Sequence, residues 1–155
     1  MRAGRAGGAL LLLLAWLCVP ACGAGEPARG PGAAAGDSPV GLWALDAARL
    51  LESVRRRYAP EGSDVVAREE AQARLVSLDL QVREDGMFGL KSSALGLTQH
   101  IVGTWRAEGA LLFFTHKTVD GKPVTAPREE QASLEDGRIV LPFEATGLDF
   151  ELVRR

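Results

Sequence analysis

Six dipeptides that end in glycine divide the chain from residue 85 onward into short segments. Glycine tolerates the positive φ angle that a tight β-hairpin requires, so each dipeptide predicts a turn. One of them, Asp120-Gly121, is predicted to open a longer connection that contains prolines. The six dipeptides are Asp85-Gly86, Leu95-Gly96, Glu108-Gly109, Asp120-Gly121, Asp136-Gly137 and Thr146-Gly147.

The segments between these turns alternate apolar and polar residues. A period of two is the pattern of a strand with one face in the core and the other in water. The clearest case is the stretch VSLDLQVR at 76–83. Further strands are predicted at 40–45, 87–93, 97–107, 110–117, around 132–134, at 139–143 and at 148–152. The sequence therefore predicts a mainly β fold, an up-and-down meander of about eight strands that can close into a small barrel.

One helical insertion follows the first strand. Asp46 is a typical N-cap residue, and the stretch AARLLESVRRRYA after it repeats apolar residues at helical spacing. We expect Leu50, Leu51, Val54 and Tyr58 to pack against an open end of the barrel. A second, more polar helical segment is predicted through the stretch VVAREEAQA.

Residues 1–21 have the parts of a secretory signal peptide. Arg2 and Arg5 give a positive start, and an apolar run of about eleven residues follows, too short for a membrane span of about 20. The end of this segment, VPAC, resembles the lipobox of bacterial lipoproteins, in which the cysteine is acylated. The sequence therefore predicts export and a membrane anchor at Cys22. Without acylation, the protein is expected to be secreted or periplasmic.

Residues 22–39 connect the leader to the domain at 40–155. They consist almost wholly of Gly, Ala and Pro, which cannot bury enough apolar surface to offset the entropy lost on ordering. We expect a flexible tether that spans about 20–25 Å. The chain has 20 Asp and Glu against 18 Lys and Arg, and two of the arginines leave with the leader. The mature protein is therefore acidic, and no nucleic-acid partner is expected.

The spelling Val-Gly-x-Trp occurs twice, as VGLW at 40–43 and as VGTW at 102–105. Residues two apart lie on the same face of a strand, and the missing glycine side chain leaves room for large neighbours. We therefore expect Trp43 and Trp105 to be structural.

The first of these motifs, the predicted meander and the basic end FELVRR together resemble the small bacterial lipocalin-like (calycin-type) β-barrel proteins. In that family the Gly-x-Trp motif closes one end of the barrel, and an Arg of the last strand packs on the Trp as a cation–π contact. The resemblance implies that Gly41, Trp43 and Arg154 form this closure, with Arg155 as the alternative arginine.

The inward faces of the predicted strands give a wholly apolar interior. Such an interior could hold a small hydrophobic ligand but not an ion or a sugar, because nothing would replace their hydration. The alternative is an envelope structural or interaction module with a packed core and no ligand. The candidate ligand-lining residues are Leu78, Leu80, Val82, Phe88, Leu90, Leu141, Phe143 and Phe150, with Ile101, Ile139, Leu152 and either Leu111 and Phe113 or Leu112 and Phe114.

Residues that could carry chemistry are few. His100 and His116 flank the turn at Glu108-Gly109, and a three-residue loop there would pair them, whereas a loop of two or four would place them on opposite faces. Even as a pair they lack a third metal ligand. The pairs Glu69-Glu70 and Glu129-Glu130 are interpreted as solvated charge. We expect no enzymatic activity, no metal and no cofactor.

Overall fold

Eight antiparallel strands follow one another around the barrel in chain order, and the last pairs with the first. The computed structural model describes residues 38–143 and 146–155. The mainly β fold with a helical insertion after the first strand, predicted from turns and alternation, is confirmed. The strands are β1 (Gly41–Leu45), β2 (Ser77–Val82), β3 (Met87–Ala94), β4 (Leu97–Glu108), β5 (Leu111–Val119), β6 (Lys122–Glu135), β7 (Arg138–Phe143) and β8 (Leu148–Arg154). The helices are α1 (Ala47–Tyr58), a 3-10 turn (Ala59–Glu61) and α2 (Ser63–Ala73).

The predicted signal peptide, Cys22 and the tether up to residue 37 lie outside the described residues. Within the described ranges, no helix is both long enough and apolar enough to cross a membrane. The chain is already packed against the domain just before β1. Pro39 is buried, and its carbonyl accepts a hydrogen bond from the Trp43 indole at 2.7 Å.

Turns with two consecutive positive φ angles close several of the hairpins. The angles are 52° and 81° at Leu95-Gly96, and 49° and 71° at Asp136-Gly137. This is the type I′ geometry, whose twist matches that of the strands it joins. Asp120-Gly121 has the same geometry, with angles of 50° and 76°, and joins β5 directly to β6.

The predicted proline-containing connection after Asp120-Gly121 is wrong. β6 begins directly after that turn and runs for 14 residues through Pro123 and Pro127. Strands tolerate proline where the ladder does not need its missing N–H. The β5–β6 ladder is irregular between His116 and Thr118, opposite Pro127, whereas Pro123 is paired with Thr118. The β6–β7 ladder covers only the last three residues of β6 within the described part, so neither proline is paired with β7 there.

Two apolar clusters fill the barrel and close one end of it. The first lies among the strands, where Trp43, Phe88, Ile101 and Leu152 are each exposed by 2% or less. The second lies between the helices and the strand ends. Its buried members are Leu50, Val54, Tyr58, Ala73, Val76, Ala94, Phe143, Leu148 and Phe150. The helical insertion therefore caps this end of the barrel.

Asp46 fixes the start of α1 on the barrel. Its carboxylate accepts the backbone N–H of Arg49 at 3.2 Å and a hydrogen bond from Arg138 Nη1 of β7 at 2.9 Å. Both hydrogen bonds lower the pKa of the Asp46 carboxyl below its ordinary value, and the bond from Arg138 has the larger effect. One side chain thus caps the helix, as predicted, and ties it to a strand.

The contact between α1 and α2 contains a charged residue. Contrary to the expectation of solvated charge, Glu69 is buried, with its Oε1 3.3 Å from Arg68 Nε. Burial raises the pKa of the Tyr58 hydroxyl, and the charge of Glu69 adds to this effect. An ion pair between Arg55 and Glu70 joins the two helices at their surface. The second helix therefore packs on the first and contributes Ala73 to the cluster between helices and strand ends.

The apolar stripe of α1 is buried as predicted at three of its four positions. Leu50, Val54 and Tyr58 are buried, whereas Leu51 is half-buried at the edge of the cluster. Leu50 and Val54, rather than Leu51, therefore form the centre of the contact between helix and barrel.

Replacing Leu50 with Ala should lower the free energy of unfolding by about 2–5 kcal/mol, because a fully buried leucine leaves a cavity. Leu51→Ala is the matched control, since it removes the same atoms from a half-buried position and should cost about 1 kcal/mol. Urea denaturation of both variants measures the difference. Equal losses would show that the helix does not dock through Leu50.

Candidate functional site

Trp43 and Arg154 stand opposite each other in the ladder that closes the barrel. The guanidinium carbon of Arg154 lies 4.7 Å from the centre of the Trp43 ring, within the range of a cation–π contact. Arg154 Nη1 donates to the carbonyl of Val40 at 3.2 Å, and its Nη2 donates to the carbonyl of Ser38. The arginine therefore covers the indole and holds the chain that enters the barrel.

Gly41 leaves the space that this contact needs. A Cβ at this position would lie 3.4 Å from Arg154 Nη1, and the φ angle of +147° is one that L side chains rarely adopt. Any other residue would be strained in this backbone conformation, and its Cβ would be in contact with the guanidinium. The alternative arginine, Arg155, lies on the outer face, where it pairs with Asp79 at 2.7 Å. Of the two arginines, Arg154 is the one at the Trp43 ring.

The second Val-Gly-x-Trp motif uses its glycine differently. A Cβ at Gly103 would lie 2.0 Å from the Thr115 carbonyl oxygen and 2.6 Å from the Phe88 ring. Neighbouring chain segments approach too closely there for any side chain. Trp105 donates its indole N–H to the Arg83 carbonyl at 2.8 Å. Each tryptophan thus holds the backbone of a neighbouring segment by one hydrogen bond.

The predicted ligand-lining residues divide between the two apolar clusters. The short turn after β4 places Leu112 and Phe114, not Leu111 and Phe113, on the inward face. These side chains pack on one another and on their neighbours in the described clusters. Leu78, Leu80, Val82, Phe88 and Leu90 lie among the strands, Leu141 packs against both clusters, and Phe143 and Phe150 lie under the helices.

The expectation of a wholly apolar interior is wrong. In the β5–β6 ladder, His116 is paired with Arg128, and Glu130 is paired with the buried Phe114. These three polar residues therefore stand at inward positions. The His116 side chain is 2% exposed, and its Nε2 lies 3.6 Å from Glu130 Oε2 without a hydrogen bond in the described residues. Glu130 Oε1 lies 3.4 Å from Arg128 Nε. This ion pair offsets part of the cost of burying a charge.

Strand register explains why this polar cluster was missed. A two-residue turn joins β4 and β5, so His100 is exposed on the outer face and His116 is buried. Glu130, interpreted as solvated, alternates inward with Ala132 along β6. A signal was present in the stretch LLFFTHK, where His116 is in phase with the buried Phe114.

A groove runs along the outer side of β1 and β2, and we call it the outer groove. It consists of two adjoining hollows of about 220 and 450 Å³ that share Leu42 and Gln81. Leu42 keeps 54% of its surface exposed there. The smaller hollow is lined by Leu42, Trp43, Asp79, Leu80, Gln81, Gly89, Lys91, His100 and Arg155. The larger is lined by Val40, Gly41, Leu42, Gln81, Val82, Arg83, Glu84 and Asp85.

Gly89 lines the smaller hollow and contributes no side chain to fill it. Gly89 stands between Gln81 and Val102 in adjoining strands. A Cβ at this position would meet only His100 Nε2, at 3.8 Å, which is ordinary contact distance. A glycine inside a strand is the sequence signal for such an opening. Its meaning here depends on the register, which sets Gly89 beside polar residues of the outer face.

Each end of the outer groove holds one closed ion pair. In the smaller hollow, Arg155 Nη2 lies 2.7 Å from Asp79 Oδ1. In the larger hollow, Arg83 Nη2 lies 2.5 Å from Asp85 Oδ2. These four charges therefore largely compensate one another within the protein.

Each end also holds one charge that the described residues leave without an ion-pair partner. In the smaller hollow this charge is the positive ammonium of Lys91, and in the larger hollow it is the negative carboxylate of Glu84. The exposed Leu42 lies between them. The outer groove is therefore positive at one end and negative at the other, with Leu42 and Gln81 between the two ends.

Across residues 38–143 and 146–155, no group of three or more His, Cys, Asp or Glu side chains could hold a metal ion. No family model, curated protein or solved structure matches the chain. The closed antiparallel barrel of eight strands is consistent with a lipocalin-like fold.

Arg154→Ala should lower the free energy of unfolding by about 1–3 kcal/mol, because it removes a cation–π contact and two hydrogen bonds to the entering chain. Arg155→Ala is the matched control, since its exposed ion pair is worth about 1 kcal/mol or less. Chemical denaturation followed by tryptophan fluorescence measures both. A control variant as unstable as Arg154→Ala would contradict the role given to Arg154.

Proposed function

We propose that this chain is an exported cell-envelope protein, anchored through an acylated Cys22, whose lipocalin-like barrel acts as an interaction module with a packed core. The leader at 1–21, the sequence VPAC and the Gly/Ala/Pro-rich stretch that follows support export and anchoring. The acidic charge balance gives no support to a nucleic-acid partner.

The dense packing of the barrel interior favours an interaction module over a carrier of a hydrophobic ligand. A cavity able to hold a ligand leaves part of its lining next to empty space. Val82, Phe88, Ile101, Leu112 and Ile139 come from five different strands, and each has 2% or less of its surface uncovered. Side chains from around the whole barrel therefore meet in its centre.

Opening this interior would be costly. Ligand pockets measure about 300 Å³ or more, and cavity formation in a packed core costs about 24 cal/mol per Å³. The product is about 7 kcal/mol, similar to the whole stability of a typical domain of about 5–15 kcal/mol. Gly103, where a Cβ would meet the Thr115 carbonyl oxygen at 2.0 Å, shows how little space remains between strands.

Both ends of the barrel are also covered. The helical cluster around Val54 lies over one end. At the other end, Arg154 binds the carbonyls of Ser38 and Val40 above the Trp43 ring. The surface that remains for a partner is the outside of the barrel, and the outer groove is its best-defined feature.

The mature protein should show no saturable uptake of a fluorescent fatty acid, because the interior is filled. The probe is titrated into the protein, and unlabelled fatty acid is added to test for displacement. A lipocalin with an open calyx is the positive control. Saturable uptake that a bulkier side chain abolishes, as in Val82→Trp, would make the barrel a hydrophobic-ligand carrier and overturn the proposal.

The membrane-fraction protein should begin at Cys22 and carry acyl chains. Intact-mass measurement should give a mass above that of residues 22–155 by the mass of the lipid. Cys22→Ser is the matched control, and it should move the protein to the soluble fraction because a single side-chain atom decides acylation. A soluble wild-type protein with a free Cys22 thiol would refute the anchor and leave export unaffected.

A further inference from the structure

The outer groove has a charge pattern that specifies a partner. We propose that it binds an extended peptide segment of a partner protein, in which an acidic and a basic residue flank an apolar residue on the same face. This inference rests on the proposed function as an interaction module and names the chemistry of the partner. The two hollows accept one continuous segment because they share Leu42 and Gln81.

Lys91 and Glu84 are the two charges that a partner can satisfy. Within the described residues, the other strongly charged groups of the outer groove are tied to each other, as Asp79 to Arg155 and Arg83 to Asp85. An acidic side chain would meet the Lys91 ammonium in the smaller hollow, and a basic side chain would meet the Glu84 carboxylate in the larger one. The exposed Leu42 between them offers the apolar contact.

The spacing of these charges fits an extended chain. Lys91 stands opposite Asp79 on β2, which ends at Val82, and Glu84 lies two residues further on, in the turn to β3. The strand part of this path, from Asp79 to Val82, rises about 10 Å. Residues two and four positions apart in an extended peptide point to the same side. An acidic, an apolar and a basic residue at alternate positions of an extended peptide span about 13 Å. The side chains of the peptide and of the protein extend the distance over which the charges can meet.

The same pattern argues against an anionic membrane surface as the occupant. A lipid surface presents one sign of charge over a wide area. The larger hollow would place the Glu84 carboxylate, which no described cation pairs with, against that surface, so this half of the outer groove would be repelled. A partner that carries both signs satisfies both ends.

The test uses a labelled seven-residue peptide with Asp at its second position, Leu at its fourth and Lys at its sixth, and Ser or Thr elsewhere. Fluorescence anisotropy with the mature protein should show saturable binding. Moving Leu to the third position turns it to the opposite face, and this peptide should bind more weakly. A peptide with Lys in place of Asp should also bind more weakly, because it meets Lys91.

Gly89→Val fills the smaller hollow without removing any charge. The backbone at Gly89 has no positive φ angle, and a Cβ there makes only ordinary contact with His100, so this variant should keep the stability of the wild type. Its affinity for the peptide should fall about tenfold or more. Wild-type affinity in this variant would overturn the proposal, because the hollow would then be irrelevant to binding.

Lys91→Glu reverses one end of the outer groove, and it should weaken the Asp-Leu-Lys peptide about twofold to fivefold, the range of an exposed ion pair. The same variant should bind the peptide with two lysines better than the wild type does. Lys122→Glu, the same change at an exposed position on β6, is the matched control and should alter neither affinity. Equal effects of the two variants would show only general charge attraction and overturn the assignment.

Three other results would replace the proposed occupant. Concentration-dependent dimerisation that Gly89→Val abolishes would make a second copy the partner. Peptide binding that appears only after Glu26 and Arg29 are neutralised would assign the outer groove to the chain's own N-terminal segment. Absence of peptide binding, while fatty acid stays excluded, would refute the partner chemistry and leave the interaction module standing.

Discussion

The structure depends on a five-residue strand that closes the sheet. β1 pairs four residues with β2 and three with β8, and the contact between Trp43 and Arg154 lies within that short ladder. Closure removes the free edges at which a sheet would pair with another chain. Since Arg154 also binds the carbonyls of residues 38 and 40, one side chain sets both the entry of the chain and the position of β1. Leu42, on the outer side of the same strand, is a wall of the outer groove.

The architecture could be predicted from the sequence because its signals are local. Leu95-Gly96 and Asp136-Gly137 form turns whatever the rest of the chain does, and the alternation of the stretch 76–83 fixes its faces. The start of β6 could not be predicted in this way. Proline argues against a strand when both sides of that strand are paired. Only the assembled sheet reveals that, among the described residues, most of β6 is not paired with β7. The pairing of distant strands therefore decides whether β6 can contain prolines, and the local sequence does not reveal that pairing.

The candidate site was harder to predict, since it depends on register. His116 was visible in phase with Leu112 and Phe114, but its burial beside Glu130 requires β6 to be a strand at that point. Gly89 is a gap only because Gln81 and Val102 stand on either side of it. Likewise, Lys91 and Glu84 appear ordinary in the sequence. Their significance comes from the neighbours Asp79, Arg155, Arg83 and Asp85, which are already paired with one another.

The closure of the barrel limits when the chain can finish folding during its synthesis. Arg154 lies 114 residues after Val40, whose carbonyl it binds, so a chain that emerges N-terminus first cannot form this contact until β8 has been synthesised. Until then β1 has β2 as its neighbour, the indole of Trp43 lacks its cover, and two sheet edges stay open to strand exchange or aggregation. Contacts of such high sequence separation form slowly. A chain that stops before β8 would remain in this open state, with β1 and β7 as unpaired edges.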